Sequence, residues 1–156
     1  MKRPPVIGVM GGGAASPATV ALAEELGREI ARAGWVLLNG GRDAGVMAAS
    51  ARGARAAGGL VVGILPDRDD TDASPDLTIA LVTGLGDARN AVNVLSSNVV
   101  VALPGGAGTL SEIALAFKAR KPLVLLGWAE APAGIDAERM RTVDETMEAL
   151  RRFVGN

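Results

Sequence analysis

Glu112 closes a ten-residue stretch, LPGGAGTLSE (103–112), that also holds three glycines and a threonine. The stretch follows the apolar run NVVVA and precedes IALAFKARK, so it reads as a turn between a strand and a helix. Glycines in such a turn let backbone come close to a ligand, and the helix start beyond offers unpaired N–H groups and a positive dipole end. That combination is a seat for phosphate. Glu112 itself has two readings. With Thr109 it fits the T-x-x-E capping box, in which its carboxylate reaches back to a backbone amide and does no chemistry. Alternatively it faces the pocket, where it positions or deprotonates water or stabilises cationic character. The spacing leaves both open.

Arg89 is the second candidate for chemistry. If Asp87 caps a helix over 88–97, Arg89 stands in its first turn, where the dipole disfavours a cation by about a few tenths of a kcal/mol. A residue placed against local preference is a candidate for function. Its guanidinium could hold a phosphate, polarise a leaving group, pair with Glu112, or bridge to the acidic loop over 67–76. Arg42 is a candidate of the same type. The ligand-binding set is therefore Gly11, Gly12, Gly13 and Ser16 in one turn and Gly40, Gly41, Arg42 and Gly45 in a second. Asn90 beside Arg89, and Gly105, Gly106, Gly108 and Thr109 in the last turn, complete it. A further glycine-marked turn, Gly84-Leu85-Gly86, is expected on the same edge.

The elements that must position these residues alternate along the chain. Strands are expected over 5–10, 35–39, 60–65, 77–82, 98–103 and 122–128. Helices are expected from Ser16-Pro17 to Gly34, over 46–57, over 88–97, after LPGGAGT, and from Asp136 to Val154. Ser16 with Pro17 is a good start signal and Gly34 a good stop. The polar segment 66–76 reads as an exposed loop. Val/Ile/Leu runs without alternation indicate a sheet buried on both faces, and strand–helix alternation indicates a Rossmann-like, doubly wound α/β sandwich with a mainly parallel sheet. The 156 residues are expected to form a single phosphate-ligand-binding domain. In such sheets ligands bind outside the carboxyl ends of the strands, where the glycine turns fall.

Composition removes several classes of function. The chain has no cysteine and no histidine, which excludes thiolate chemistry and the commonest metal ligands, so no metal site is expected. None of the three lysines, Lys2, Lys118 and Lys121, sits at a site-like turn, which argues against a pyridoxal-phosphate Schiff base. A net charge of −1 and 3% aromatic residues argue against a nucleic-acid surface. No apolar run approaches the roughly 18–20 residues of a membrane span, and the start reads as a strand, so a cytoplasmic location is expected. Gly11 to Ser16 lacks the third glycine of G-x-G-x-x-G, and no G-x-x-x-x-G-K-[ST] occurs. The small residues of 46–57 and the apolar side of 113–120 offer surfaces for close packing in an oligomer.

PGGAGTLSE (104–112) resembles the P-G-G-x-G-T-x-x-E signature of the "lonely guy" phosphoribohydrolase family, long labelled possible lysine decarboxylases. NGGRDAGVMAASARGA (39–54) resembles its second glycine-rich signature. The resemblance implies that Arg89 and Glu112 are the catalytic pair, hydrolysing the N-glycosidic bond of a nucleoside 5′-monophosphate without a catalytic cofactor. The family arginine stands in a His-x-Arg-Lys context, whereas here the text is DARNAV and the chain is short. These departures resemble a short branch of the superfamily that includes the molybdenum-cofactor carrier proteins, which bind a phosphate-bearing pterin at the same turns without turnover. The resemblance thus implies a small phosphorylated ligand, either molybdenum cofactor or nucleoside monophosphate, and a homodimer or homotetramer. Binding without cleavage is the leading expectation and hydrolysis the alternative.

Overall fold

The structure, a computed structural model, describes residues 2–155. Seven strands form one sheet: β1 (Val6–Met10), β2 (Val36–Asn39), β3 (Val61–Leu65), β4 (Ile79–Val82), β5 (Val99–Ala102), β6 (Leu123–Leu126) and β7 (Glu138–Met140). Their order is β4-β3-β2-β1-β5-β6-β7, and each neighbouring pair is parallel. The chain builds outward from β1 to β4, then crosses back to build from β5 to β7. The order therefore reverses between β1 and β5, which is where an open α/β sheet makes its ligand crevice.

Five helices cover the sheet: α1 (Pro17–Arg32), α2 (Gly45–Ala56), α3 (Arg89–Ser96), α4 (Ala107–Lys118) and α5 (Val143–Val154). Alternate strand residues serve opposite faces. Ile7, Val9, Leu37, Val99 and Val101 pack with α1, α2 and α5. Met10, Leu38, Ile64, Val100 and Ala102 pack with α3 and α4 on the other side. The Rossmann-like expectation holds.

Several local expectations do not. The segment from Asp136 is not helical until Val143, because Glu138–Met140 pairs with β6 as a seventh strand. A three-residue strand reading Glu-Arg-Met carries no apolar run to announce it. Burial on both faces also fails at one edge, since all four residues of β4 are exposed. No helix separates β3 from β4 in the chain. The small residues of α2 are used within the chain: Val46, Ala49, Ser50, Ala51, Gly53 and Ala54 are buried. A Cβ on Gly27 of α1 would overlap the Ser50 carbonyl, and one on Gly53 would overlap the Glu24 carbonyl, so α1 and α2 cross closely. α4 keeps an apolar outer side, with Leu110 and Phe117 exposed. No helix among the described residues is long and apolar enough to cross a membrane.

Candidate functional site

The carboxyl ends of β1 and β5 lead into two glycine turns that touch. Gly12 N donates to Pro104 O at 3.3 Å, and a Cβ on Gly12 would stand 3.2 Å from Gly105 Cα. Between them opens a cavity of about 490 Å³, lined by residues that include Gly11, Gly12, Gly13, Gly40, Arg89, Asn90, Gly106, Gly108, Thr109 and Glu112. Val9, Met10, Ala14 and Met47 give it an apolar wall, and Asp87 stands in its lining. Among the described residues no group of carboxylates is placed to hold a metal ion.

α4 begins one turn earlier than a capping box requires. Gly106 is its N-cap, and no side chain accepts from its first amides. Thr109 and Glu112 lie inside the helix, so Glu112 does not reach back to a Thr109 amide. The capping reading of Glu112 is wrong. Its Oε1 instead accepts from Asn93 Nδ2 of α3 at 3.0 Å, and the residue is 7% exposed. Burial pushes its carboxyl above the ordinary carboxylate value, with the Asn93 hydrogen bond and the charge of Arg89 acting the other way. Thr109 is buried against Gly105, where a Cβ would overlap its hydroxyl.

Arg89 opens α3 without the cap expected from Asp87. A 3₁₀ turn, Gly86–Ala88, runs straight into the helix, and no side chain caps it. The guanidinium crosses the carboxyl ends of β2 and β3: Nη1 donates to Gly40 O and to Ile64 O, the latter at 2.7 Å. Its Nε is buried with no partner among the described residues. Burial pulls its pKa below the usual arginine value, opposed first by the nearby charge of Glu112. Arg89 and Glu112 line one cavity and form no ion pair with each other among the described residues. Asn90 ties the two helix starts together, Nδ2 donating to Ser111 Oγ at 3.1 Å, and Ser111 Oγ donating to Gly108 O at 2.6 Å.

Other expected ligand contacts have structural partners instead. Ser16 caps α1, accepting from Thr19 N at 3.2 Å, and does not line the cavity. Gly45, at φ +49°, packs against the Gly12–Gly13 backbone, and Val46 N donates to Gly12 O at 3.0 Å, so the start of α2 is filled by a carbonyl. Gly41, at φ +79°, donates to Asn39 Oδ1 at 2.8 Å. Arg42 pairs with Asp67 at 3.1 Å and lies outside the cavity lining, so the bridge to the acidic loop belongs to Arg42 rather than Arg89. Gly84 and Gly86 do not line the cavity either. Asn93 was not foreseen. Its signal was the recurrence of polar residues at buried positions, Asn90 and Asn93 in α3 and Ser97 at its C-cap.

Comparison with known proteins follows the same geometry. The chain belongs to the SLOG cluster4 family, whose model matches residues 4–151. It is similar to the solved molybdenum cofactor binding protein from Rippkaea orientalis, with 42% identity, a TM-score of 0.93, and coverage of 99% of this chain and 100% of that one. The molybdenum cofactor carrier protein from Chlamydomonas reinhardtii gives 43% identity and a TM-score of 0.90, covering 99% of this chain and 100% of that chain. A cytokinin riboside 5′-monophosphate phosphoribohydrolase of Mycobacterium tuberculosis is 40% identical over 96 residues, covering 59% of this chain and 50% of the enzyme. The match to that enzyme thus spans about half its length.

Proposed function

We propose that this SLOG cluster4 protein binds and carries a small phosphorylated ligand, a pterin of the molybdenum-cofactor type or a nucleotide, with its phosphate at the start of α4. The observation that carries this reading is the state of Gly106 and Gly108. Both line the cavity, neither has positive φ, and a Cβ on either would meet no atom within 4 Å apart from its chain neighbours and its own helix. Packing leaves room for a side chain at both positions; Gly106 serves as the N-cap, where glycine is common, whereas Gly108 lies inside the helix. A glycine inside a helix costs about 0.5–1 kcal/mol relative to alanine. Leaving the backbone bare beside four uncapped amides is what close approach of an anion requires. Similarity to molybdenum cofactor proteins over nearly the whole chain supports the pterin-type ligand.

Hydrolysis of a nucleoside 5′-monophosphate is the second reading, favoured by one observation: Arg89 and Glu112 share the cavity. There Glu112 would position or deprotonate water beside the N-glycosidic bond, and Arg89 would fix the substrate. Burial works against it, because a base must be ionised and burial favours the neutral acid. Arg89 is also engaged by two carbonyls. In neither reading does pyridoxal phosphate or a protein-bound metal take part.

The deciding experiment incubates the purified protein with AMP and related monophosphates and measures free base and ribose 5-phosphate. No release, together with stoichiometric binding of molybdenum cofactor, is the expected result. Release abolished by Glu112→Gln would establish the hydrolase instead. The reading includes a cytoplasmic homodimer or homotetramer, with the exposed Leu110 and Phe117 side of α4 as an apolar contact; a monomeric mass in light scattering would remove that part.

A further inference from the structure

Asn93 is fully buried in α3, yet its carboxamide is only half used. Nδ2 donates to Glu112 Oε1, while Oδ1 has no partner among the described residues. An unpaired buried carbonyl oxygen is destabilising, and its presence calls for an explanation. Glu112 complements it across the gap between α3 and α4. One carboxyl oxygen is tied to Asn93, the other has no protein partner among the described residues, and the residue lines the cavity.

Charge decides what this pair does when an anion arrives. The charged groups sharing the cavity with Glu112 are Arg89 from α3 and Asp87 from the preceding 3₁₀ turn; the β1 and β2 turns supply none. Glu112 lies about one and a half helical turns from the first amides of α4. Its side chain leans back toward them, as helical side chains do. An ionised Glu112 would cancel Arg89 and repel a phosphate at that seat. A neutral Glu112 leaves the positive charge of Arg89 to the anion.

We propose that Asn93 is a positioning residue of the ligand site, holding Glu112 at the cavity wall as a carboxylate while the site is empty, and that Glu112 becomes an uncharged hydrogen-bonding acid when an anion is bound, so that binding takes up one proton from solvent. This rests on the phosphate seat at α4. The carboxamide can bond either state of its partner: Nδ2 donates to the carboxylate, and after rotation Oδ1 would accept from the acid O–H. Burial of Glu112 favours the same neutral form.

The test uses sulfate as probe, because its charge stays fixed across the pH range scanned, so that a change in affinity reports groups of the protein. Calorimetry in two buffers of different ionisation enthalpy reports affinity and proton uptake together. For the natural protein, affinity is expected to fall about tenfold per pH unit above the Glu112 titration, with close to one proton taken up per sulfate. Glu112→Gln should bind with no pH dependence and no proton uptake. Asn93→Leu removes the bond that favours the carboxylate, so the fall in affinity should begin at higher pH; Asn93→Ser serves if the leucine variant does not fold. Proton uptake that persists in Glu112→Gln overturns the proposal, as does an unshifted profile in a folded Asn93 variant. Absence of sulfate and phosphate binding at every pH overturns the seat itself, a different failure from a seat that binds without proton uptake.

Discussion

The sequence contains two T-x-x-E segments, Thr109–Glu112 and Thr142–Glu145, and the structure uses them in opposite ways. At the second, Thr142 has extended backbone and its hydroxyl accepts from Glu145 N at 3.2 Å. Glu145 Oε2 reaches back to Thr142 N at 3.4 Å and to Arg141 N at 2.8 Å. That is a complete capping box in solvent. At the first, the helix has already begun at Ala107 after Gly106, so both members sit within the helix and turn inward. What separates them is the residue that starts the helix. Before Thr142 stands Arg141, and threonine is the first residue able to cap. Before Thr109 stand glycines that bend the chain early and leave the amides bare. A missing side-chain cap is therefore what distinguishes the first segment, whose Gly106, Gly108 and Thr109 line the cavity.

The largest expected effect lies where Thr109 packs. A Cβ at Gly105 would overlap Thr109 Oγ1 and approach Gly12 N to 2.7 Å, so Gly105→Ala should push apart the two turns that meet beneath the cavity. A loss of about 3 kcal/mol in urea unfolding is expected for a clash against buried backbone. A change under about 0.5 kcal/mol, the range of ordinary surface substitutions, would show that the turn yields easily and that its glycine is not structural.

Gly108→Ala has smaller effects, and they are opposite in sign for stability and binding. Since the new methyl meets no protein atom, stability should rise by about 0.5–1 kcal/mol. The same methyl projects at the anion seat, and sulfate or phosphate affinity should drop about tenfold, equivalent to about 1.4 kcal/mol. Unchanged affinity in the stabilised variant would separate Gly108 from the ligand.

These contrasts also mark what the sequence could and could not convey. The order of strands and helices was legible because buried parallel strands are written as apolar runs, such as Val99–Ala102, and because Ser16-Pro17 and Gly34 bound α1 chemically. The cavity was legible in outline, since glycine turns at strand ends fall together by topology. Which glycine faces the ligand was not. Gly40 and Gly106 look alike in sequence, yet a Cβ on Gly40 would overlap Arg89 Nη1 while one on Gly106 meets open space. Such differences arise from distant residues coming together, as do the pairing of Arg42 with Asp67 and of Asn93 with Glu112. β7 escaped notice because its strand character comes from its partner β6 and not from its own side chains.

Thr142→Ala should cost about 1 kcal/mol, the usual loss of an N-cap hydroxyl, measured by chemical denaturation. The sharper form of this test adds Glu145→Ala and looks for coupling, because each side chain satisfies the amide of the other. Thr109→Val keeps the shape of its side chain and removes a hydroxyl that caps nothing, so no coupling to Glu112 through a helix start is expected. Coupling equal to that of the Thr142–Glu145 pair would erase the distinction between the two segments.

The smallest effect is read at Glu112 as a function of pH. Glu112 in the folded protein has a pKa above its unfolded value, because burial disfavours its charge. The folded state then holds its proton more tightly than the unfolded state, so this group's contribution is fully present below the ordinary carboxylate value. The contribution is lost as pH rises through the raised value. Glu112→Gln removes a group that opposes folding only when ionised. The variant should match the natural protein in acid and become more stable than it as pH rises through the raised Glu112 value, by about a few degrees in Tm at most. Glu24 titrates with the opposite sign, since the hydrogen bond from Arg52 holds it below the ordinary range, but it is common to both proteins and cancels in the difference. A gap that shrinks toward neutral pH would mean that Glu112 is stabilised as a carboxylate by Arg89 and Asn93 more than burial penalises it, and would return it to the role of a charged base.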